Sequence, residues 1–171
     1  IPVALLAVPP AENRTSAPIA CDYDGFLDLA QRMRTHHDEH LVSLDRFVAM
    51  AKEPGTVVLD ARSETHFDAV HIAGSVNLPY TSFSEKALRE RIPNQSTRIL
   101  IYCRNNLIDS SQKDDGAELD IPFAKGSFLG LNIPTAITLY GYGYRNVWEL
   151  NSVIDISKPE VKLVGTRVRA K

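Results

Sequence analysis

Two cysteines are available for thiol chemistry, and only one of them has surroundings that suit it. Cys103 directly follows Arg98-Ile99-Leu100-Ile101-Tyr102, a short apolar run rich in β-branched residues that reads as a strand buried on both faces. In an open parallel α/β sheet, ligands gather beyond the carboxyl ends of the strands, where loops converge and helix N-termini present backbone N–H groups. A thiol in that place can have its pKa lowered by surrounding N–H donors, and the thiolate is the nucleophile. The competing reading is a buried structural cysteine, since cysteine is among the most buried residue types. Cys21 follows a polar, proline-containing leader and reads as a bystander. A bridge between the two is not expected, because it needs Cα atoms within ~7 Å. Two cysteines also exclude a disulfide framework and a four-cysteine zinc site.

Other patterns carry less. His36-His37-Asp38-Glu39-His40 places His36 and His40 four residues apart on a helix, as a metal site would, but no third ligand is identifiable. The expected reading is a solvated helix end with cations near the negative end of the dipole. Gly141-Tyr142-Gly143-Tyr144-Arg145-Asn146 looks like half a dinucleotide motif, yet it follows a helix and precedes a strand, the reverse of what phosphate binding requires. Asn13-Arg14-Thr15 fits a glycosylation sequon, which matters only in a eukaryotic secreted chain. No spacing in the chain implies a metal or an organic cofactor.

The elements that must position Cys103 can be read from periodicity. Phe26, Leu29, Ala30 and Met33 recur at helical spacing and predict an amphipathic helix over about 23–35. Ser43 caps a second helix that buries Phe47, Val48 and Met50 and ends at Lys52-Glu53-Pro54-Gly55. Thr56-Val57-Val58-Leu59-Asp60 reads as another strand buried on both faces. A helical turn near 63–70, a short strand near Val76, and a helix announced by Ser82 with Glu85 three residues on follow it. After Cys103 the pattern lapses until Gly130. Asn132 then caps a helix with Pro134 in its first turn, and Asn146-Val147-Trp148-Glu149-Leu150 reads as the last strand, with an irregular tail over 151–171. Strands alternating with helices imply parallel pairing by right-handed crossovers. The expected fold is therefore α/β, with a mainly parallel sheet of about five strands and helices on both faces.

Three ordered motifs resemble the rhodanese homology domain. Asp60-Ala61-Arg62, Phe67 and His71-Ile72-Ala73-Gly74-Ser75-Val76-Asn77-Leu78-Pro79 resemble its first signature. Ile99-Leu100-Ile101-Tyr102-Cys103-Arg104 resembles its active-site strand and cysteine, and Gly143-Tyr144-Arg145-Asn146-Val147 the turn into its last strand. The resemblance spans about 43–150. It implies sulfur transfer: the Cys103 thiolate takes a sulfane sulfur from a donor such as thiosulfate, forms a persulfide and passes it to a thiophilic acceptor. It also implies Asp60 and Arg62 as a pair behind the loop and His71 as a residue ordering the neighbouring segment. All three are equally readable as structural, since strand-end ion pairs tie loops together without catalysing anything.

The loop departs from the family pattern. Active members have a cysteine, four residues, an arginine and a hydroxyl residue, so that successive N–H groups form a nest around the persulfide. Here Ile108 stands in the place of that arginine, and Cys103-Arg104-Asn105-Asn106 leads into a long insertion over 104–130. Arg104, Asn105 and Asn106 are the candidate anion-binding loop, the two asparagines being tolerant of left-handed backbone. The insertion either bulges outward or covers the pocket as a lid. The phosphatases related to this fold need an arginine where Asp109 stands. Residues 104–130 also carry more acidic than basic groups, so a phosphatase is not expected. Two function classes remain: a sulfurtransferase working through a Cys103 persulfide, and a catalytically silent rhodanese-like binding module that recognises a protein partner through the insertion.

Composition bounds the rest. The 171 residues suit one domain, read as 22–171 with an extended arm over 1–21, and 44% hydrophobic with 23% charged residues suits a globular chain. A formal charge of −2, from 19 basic and 21 acidic residues, offers no footprint for nucleic acid. No apolar run approaches the ~18–20 residues that cross a bilayer as a helix. Ile1-Pro2-Val3-Ala4-Leu5-Leu6-Ala7-Val8 resembles the end of a secretory h-region, so the expectation is an export-signal remnant and a periplasmic or secreted location, with a docked apolar arm and a cytoplasmic location as the alternative.

Overall fold

The structure is a computed structural model and describes residues 21–111 and 130–168. Nine strands and five helices occur among these residues: α1 (Tyr23–Glu39), β1 (Leu41–Val42), α2 (Leu44–Ala51), β2 (Thr56–Asp60), α3 (Glu64–Ala69), β3 (His71–Ile72), β4 (Val76–Asn77), α4 (Glu85–Arg91), β5 (Arg98–Tyr102), β6 (Leu107–Ile108), α5 (Asn132–Gly141), β7 (Val147–Leu150), β8 (Ile154–Asp155) and β9 (Leu163–Val164). The main sheet has the order β1-β7-β5-β2-β4, and every pairing in it is parallel. The predicted α/β architecture is the one observed. β5 sits at the centre because its β-branched residues can be buried on both faces, and Ile99, Leu100, Ile101 and Tyr102 are all inaccessible to solvent.

Each face of the sheet has its own core. Alternation along β5 sends Leu100 and Tyr102 to one side, where they pack with Phe47 and Met50 of α2 and with Val70 and Ile72. Ile99 and Ile101 go to the other, against Met33 of α1, Leu88 of α4 and Ala136, Ile137 and Leu139 of α5. Cys103 stays extended at φ −145° and ψ −165°, so it continues the alternation onto the α1/α5 side.

Several boundaries differ from the sequence expectations. α1 runs on to Glu39 instead of stopping near residue 35, with Asp22 accepting from the Gly25 N–H at its start. Met33 is its buried residue, whereas Phe26 is about half exposed. Ser43 caps α2 as expected. α4 is capped by Ser84, which accepts from the Ala87 N–H, and not by Ser82. Pro79 accepts from Ser82 N–H and turns residues Tyr80–Ser82 into a 3-10 turn before the helix begins. The tail is not irregular: β8 pairs with β6 and β9 with β3. Gly165, at φ +134° and with the Ala69 carbonyl only 2.5 Å from where a Cβ would stand, lets the backbone close on α3, whose carbonyls at Asp68 and Ala69 accept from Thr166 and Arg167. The arm over 1–20 and the bulk of the insertion, 112–129, lie outside the described residues, as do the lid and recognition-surface readings attached to them.

A buried ion pair closes the α2 side. Arg62 donates from Nε and Nη2 to the Asp60 carboxylate, at 2.9 Å to Oδ1 and 2.6 Å to Oδ2, and Nη2 also reaches the Val70 carbonyl at 2.6 Å. Burial works against the guanidinium charge, but the hydrogen bonds and the opposite charge of Asp60 outweigh it and raise the Arg62 pKa. Removing one partner strands the other in the interior. Arg62→Ala is therefore expected to lower stability by about 3–5 kcal/mol, read as a fall in the urea midpoint with the slope unchanged. A loss below ~1 kcal/mol would mean that Asp60 finds water in the folded protein.

Candidate active site

Beyond the C-terminal end of β5 the chain makes a 3-10 turn over Arg104–Asn106. The left-handed asparagine conformations expected there are not adopted, because a 3-10 turn is right-handed. Instead Asn106 folds its side chain back under the turn. Its Oδ1 accepts from the Cys103 N–H at 2.9 Å and from Asn132 Nδ2 at 3.0 Å. Its Nδ2 donates to the carbonyls of Leu150 at 2.8 Å and Ser152 at 2.9 Å. All four hydrogen-bonding positions of this buried carboxamide are filled.

The sulfur is held from two directions. Backbone N–H groups of Asn105, Leu131 and Asn132 donate to the Cys103 thiol. The first comes from the turn, and the other two come from the start of α5, across the insertion. Asn132 was expected to cap α5, but Leu131 occupies that position and the Asn132 side chain bonds Asn106. With no side-chain cap, the first N–H groups of the helix need an acceptor, and the sulfur supplies one.

Cys103 is closed to bulk solvent, yet it lines a cavity of about 450 Å³. Asn105, Asn106 and Asn132 share that wall, with Ile133 from α5 and Ser152 and Val153 beyond β7. Arg104 opens the turn but is not among the lining residues. Among the described residues no lysine or arginine lines the cavity. Burial pushes the Cys103 thiol above its ordinary pKa, and the three N–H donors oppose but do not cancel it.

Two further lining residues are His37 and Glu149. The expected solvated helix end is corrected here: His37 Nδ1–H donates to Glu149 Oε1 at 2.5 Å, His36 Nε2–H donates to the Val147 carbonyl at 3.0 Å, and the His36 and His40 rings stack 3.7 Å apart. The Glu149 side chain is 2% exposed and that of His37 21%. Burial raises the Glu149 pKa, against the hydrogen bond and charge of His37. Glu149 lies opposite Ile101 in the β5–β7 register, so it stands on the same sheet face as Cys103, one pleat back on the neighbouring strand. Half of a signal was present: an acidic residue in the middle of an otherwise apolar buried strand needs a partner, but the histidine that supplies it lies 112 positions away.

The remaining candidates lie elsewhere. Asp60 and Arg62 sit on the opposite face with Tyr102, whose hydroxyl accepts from the Ile72 N–H at 3.1 Å. His71 stacks on Phe67 at 3.7 Å and donates from Nδ1 to the Phe67 carbonyl at 2.7 Å, tying α3 to β3. None of the three lines the cavity. Cys21 is exposed and Cys103 buried, and both are free thiols.

The Rhodanese-like domain family matches residues 43–152. The chain belongs to that family. It is 26% identical over 110 residues to the adenylyltransferase and sulfurtransferase uba4 of Sclerotinia sclerotiorum, covering 57% of this chain and 24% of that protein, so the match spans about a quarter of the relative. Among solved structures, the BH2092 protein of Bacillus halodurans matches 82% of this chain and 88% of its own at 18% identity with a TM-score of 0.50. The thiosulfate sulfurtransferase of Pseudomonas aeruginosa matches 66% of this chain and 17% of its own at 23% identity with a TM-score of 0.43. Membership gives this rhodanese-like domain a place among sulfurtransferases and their relatives. No helix among the described residues is long and apolar enough to cross a membrane.

Two outcomes are expected from this geometry. In a Cys21→Ser background, alkylation of Cys103 by iodoacetamide should be slow at neutral pH and climb with an inflection above the ordinary cysteine value of 9.0, because the raised pKa keeps the proton on sulfur. An inflection below that value would show that the N–H donors win over burial. Asn106→Ala orphans the Cys103 N–H and two carbonyls and should lower stability by at least about 1–3 kcal/mol, measured by thermal unfolding.

Proposed function

We propose that this rhodanese-like domain transfers sulfane sulfur from a thiosulfate-type donor through a persulfide on Cys103. The observation that carries the reading is the convergence of three backbone N–H groups, from Asn105, Leu131 and Asn132, on the sulfur of a cysteine that opens onto a cavity. The Cys103 thiolate attacks the outer sulfur of the donor. A new S–S bond forms on Cys103, the donor's own S–S bond breaks, and the leaving group, sulfite where thiosulfate is the donor, departs with the bonding pair. Charge balances without any further reagent. The N–H groups serve the terminal sulfur of the persulfide as they serve the thiol, since donors fixed in advance stabilise negative charge without reorganising.

The small donor and acceptor follow from this reading. A protein partner at 104–130 and a periplasmic or secreted location belong to the same proposal, both resting on the sequence.

Intact mass after incubation with thiosulfate tests it. Wild type should gain one sulfur, ~32 Da, and Cys103→Ser should gain nothing. A wild type with a confirmed reduced thiol and no gain would overturn the enzymatic reading and leave a rhodanese-like module that binds without chemistry.

A further inference from the structure

Resting on the sulfur-transfer reading, we infer that the second half of the reaction delivers sulfur to a small thiol, and that His37 takes the proton from that thiol. Cys103, His37 and Glu149 line one cavity. Nδ1 of His37 is committed to Glu149, and among the described residues Nε2 has no hydrogen-bond partner. A buried carboxylate that holds one ring nitrogen leaves the other available as a base on a ring that lines the cavity. The base is needed because an ordinary alkyl thiol is mostly protonated near neutrality, and only its thiolate attacks.

The step balances within the site. The acceptor's S–H proton passes to His37 Nε2. The resulting thiolate attacks the terminal sulfur of the Cys103 persulfide, a new S–S bond forms on the acceptor, and the Cys103–sulfur bond breaks with its electron pair going to Cys103. The proton held on His37 then returns to the Cys103 sulfur, so burial of that thiol favours the end state.

The test uses protein first loaded at Cys103 and follows loss of the persulfide at one neutral pH. His37→Gln should discharge to 2-mercaptoethanol at least about tenfold more slowly than wild type, the low end of general base contributions of ~10²–10⁴. With trifluoroethanethiol, which ionises largely unaided, the two proteins should converge. Equal slowing with both thiols would assign His37 a structural role, and no slowing with either would remove it from the reaction. Should His37→Gln fail to fold, wild type alone decides: among uncharged thiols, rates that fall in proportion to the thiolate fraction in solution would overturn the base, and rates that hold up for the less acidic thiols support it. A wild type that never loads sinks the sulfur-transfer reading itself, a result distinct from loading without His37 dependence.

Discussion

The carboxamide of Asn106 is the constraint on which the site depends. It joins three pieces of chain that share no regular structure: the backbone leaving β5 at Cys103, the segment leaving β7 at Leu150 and Ser152, and the first residue of α5. Because both lone-pair positions and both hydrogens are used, the group has one orientation, and the positions of its partners are fixed by it. Those partners are also the frame of the cavity. Withdraw the carboxamide and the turn after Cys103 loses its register against α5, which carries two of the three N–H groups aimed at the sulfur.

The sulfur itself is placed between opposed effects. Burial favours the neutral thiol, whereas the N–H groups favour the anion, and burial prevails at rest. A nucleophile kept protonated until it is needed is protected from adventitious oxidation, which follows thiolate character and exposure. The same balance makes proton traffic in the cavity matter, because every step that makes or consumes the Cys103 thiolate must move a proton to or from a sulfur that is itself inaccessible to solvent. Among the described residues, His37 and Glu149 are the titratable side chains that line the cavity with the cysteine.

Much of the fold was legible where a local rule was strong. β2 and β5 announced themselves through β-branched runs bounded by polar residues, Ser43 through its capping chemistry, and Cys103 through its place at a strand end. What escaped notice was short or non-local. β1, β8 and β9 are two residues each, too brief for any period to register: β1 forms on the edge that β7 offers, and β8 and β9 pair with the equally short β6 and β3. Ser82 lost the cap of α4 to Ser84 because Pro79 sets up a turn that a residue count does not reveal. A nest of consecutive N–H groups points to Arg104, Asn105 and Asn106 as the anion cradle, whereas two of the three donors come from Leu131 and Asn132 at the start of α5. The pairing of His37 with Glu149 spans 112 positions, so neither residue's neighbourhood signalled the other.

The origin of His37 has a consequence for how the site is built. Cys103 and Glu149 come from the span that matches the family, residues 43–152, but His37 comes from α1, which precedes it. α1 is held where it is by Met33 in the core shared with α5 and by the His36 contact to the Val147 carbonyl. β7 presents Glu149 two residues after Val147, on the same face, so the hydrogen bond that docks the end of the helix and the one that orients His37 fall on adjacent same-face positions of a single strand. The helix is thus registered against the sheet at the point where its histidine meets the cavity. A segment attached only through its packing would leave that ring free to rotate. Anchoring it through a buried carboxylate instead makes the geometry of this wall of the cavity a property of β7, and hence of the same central sheet that carries the cysteine.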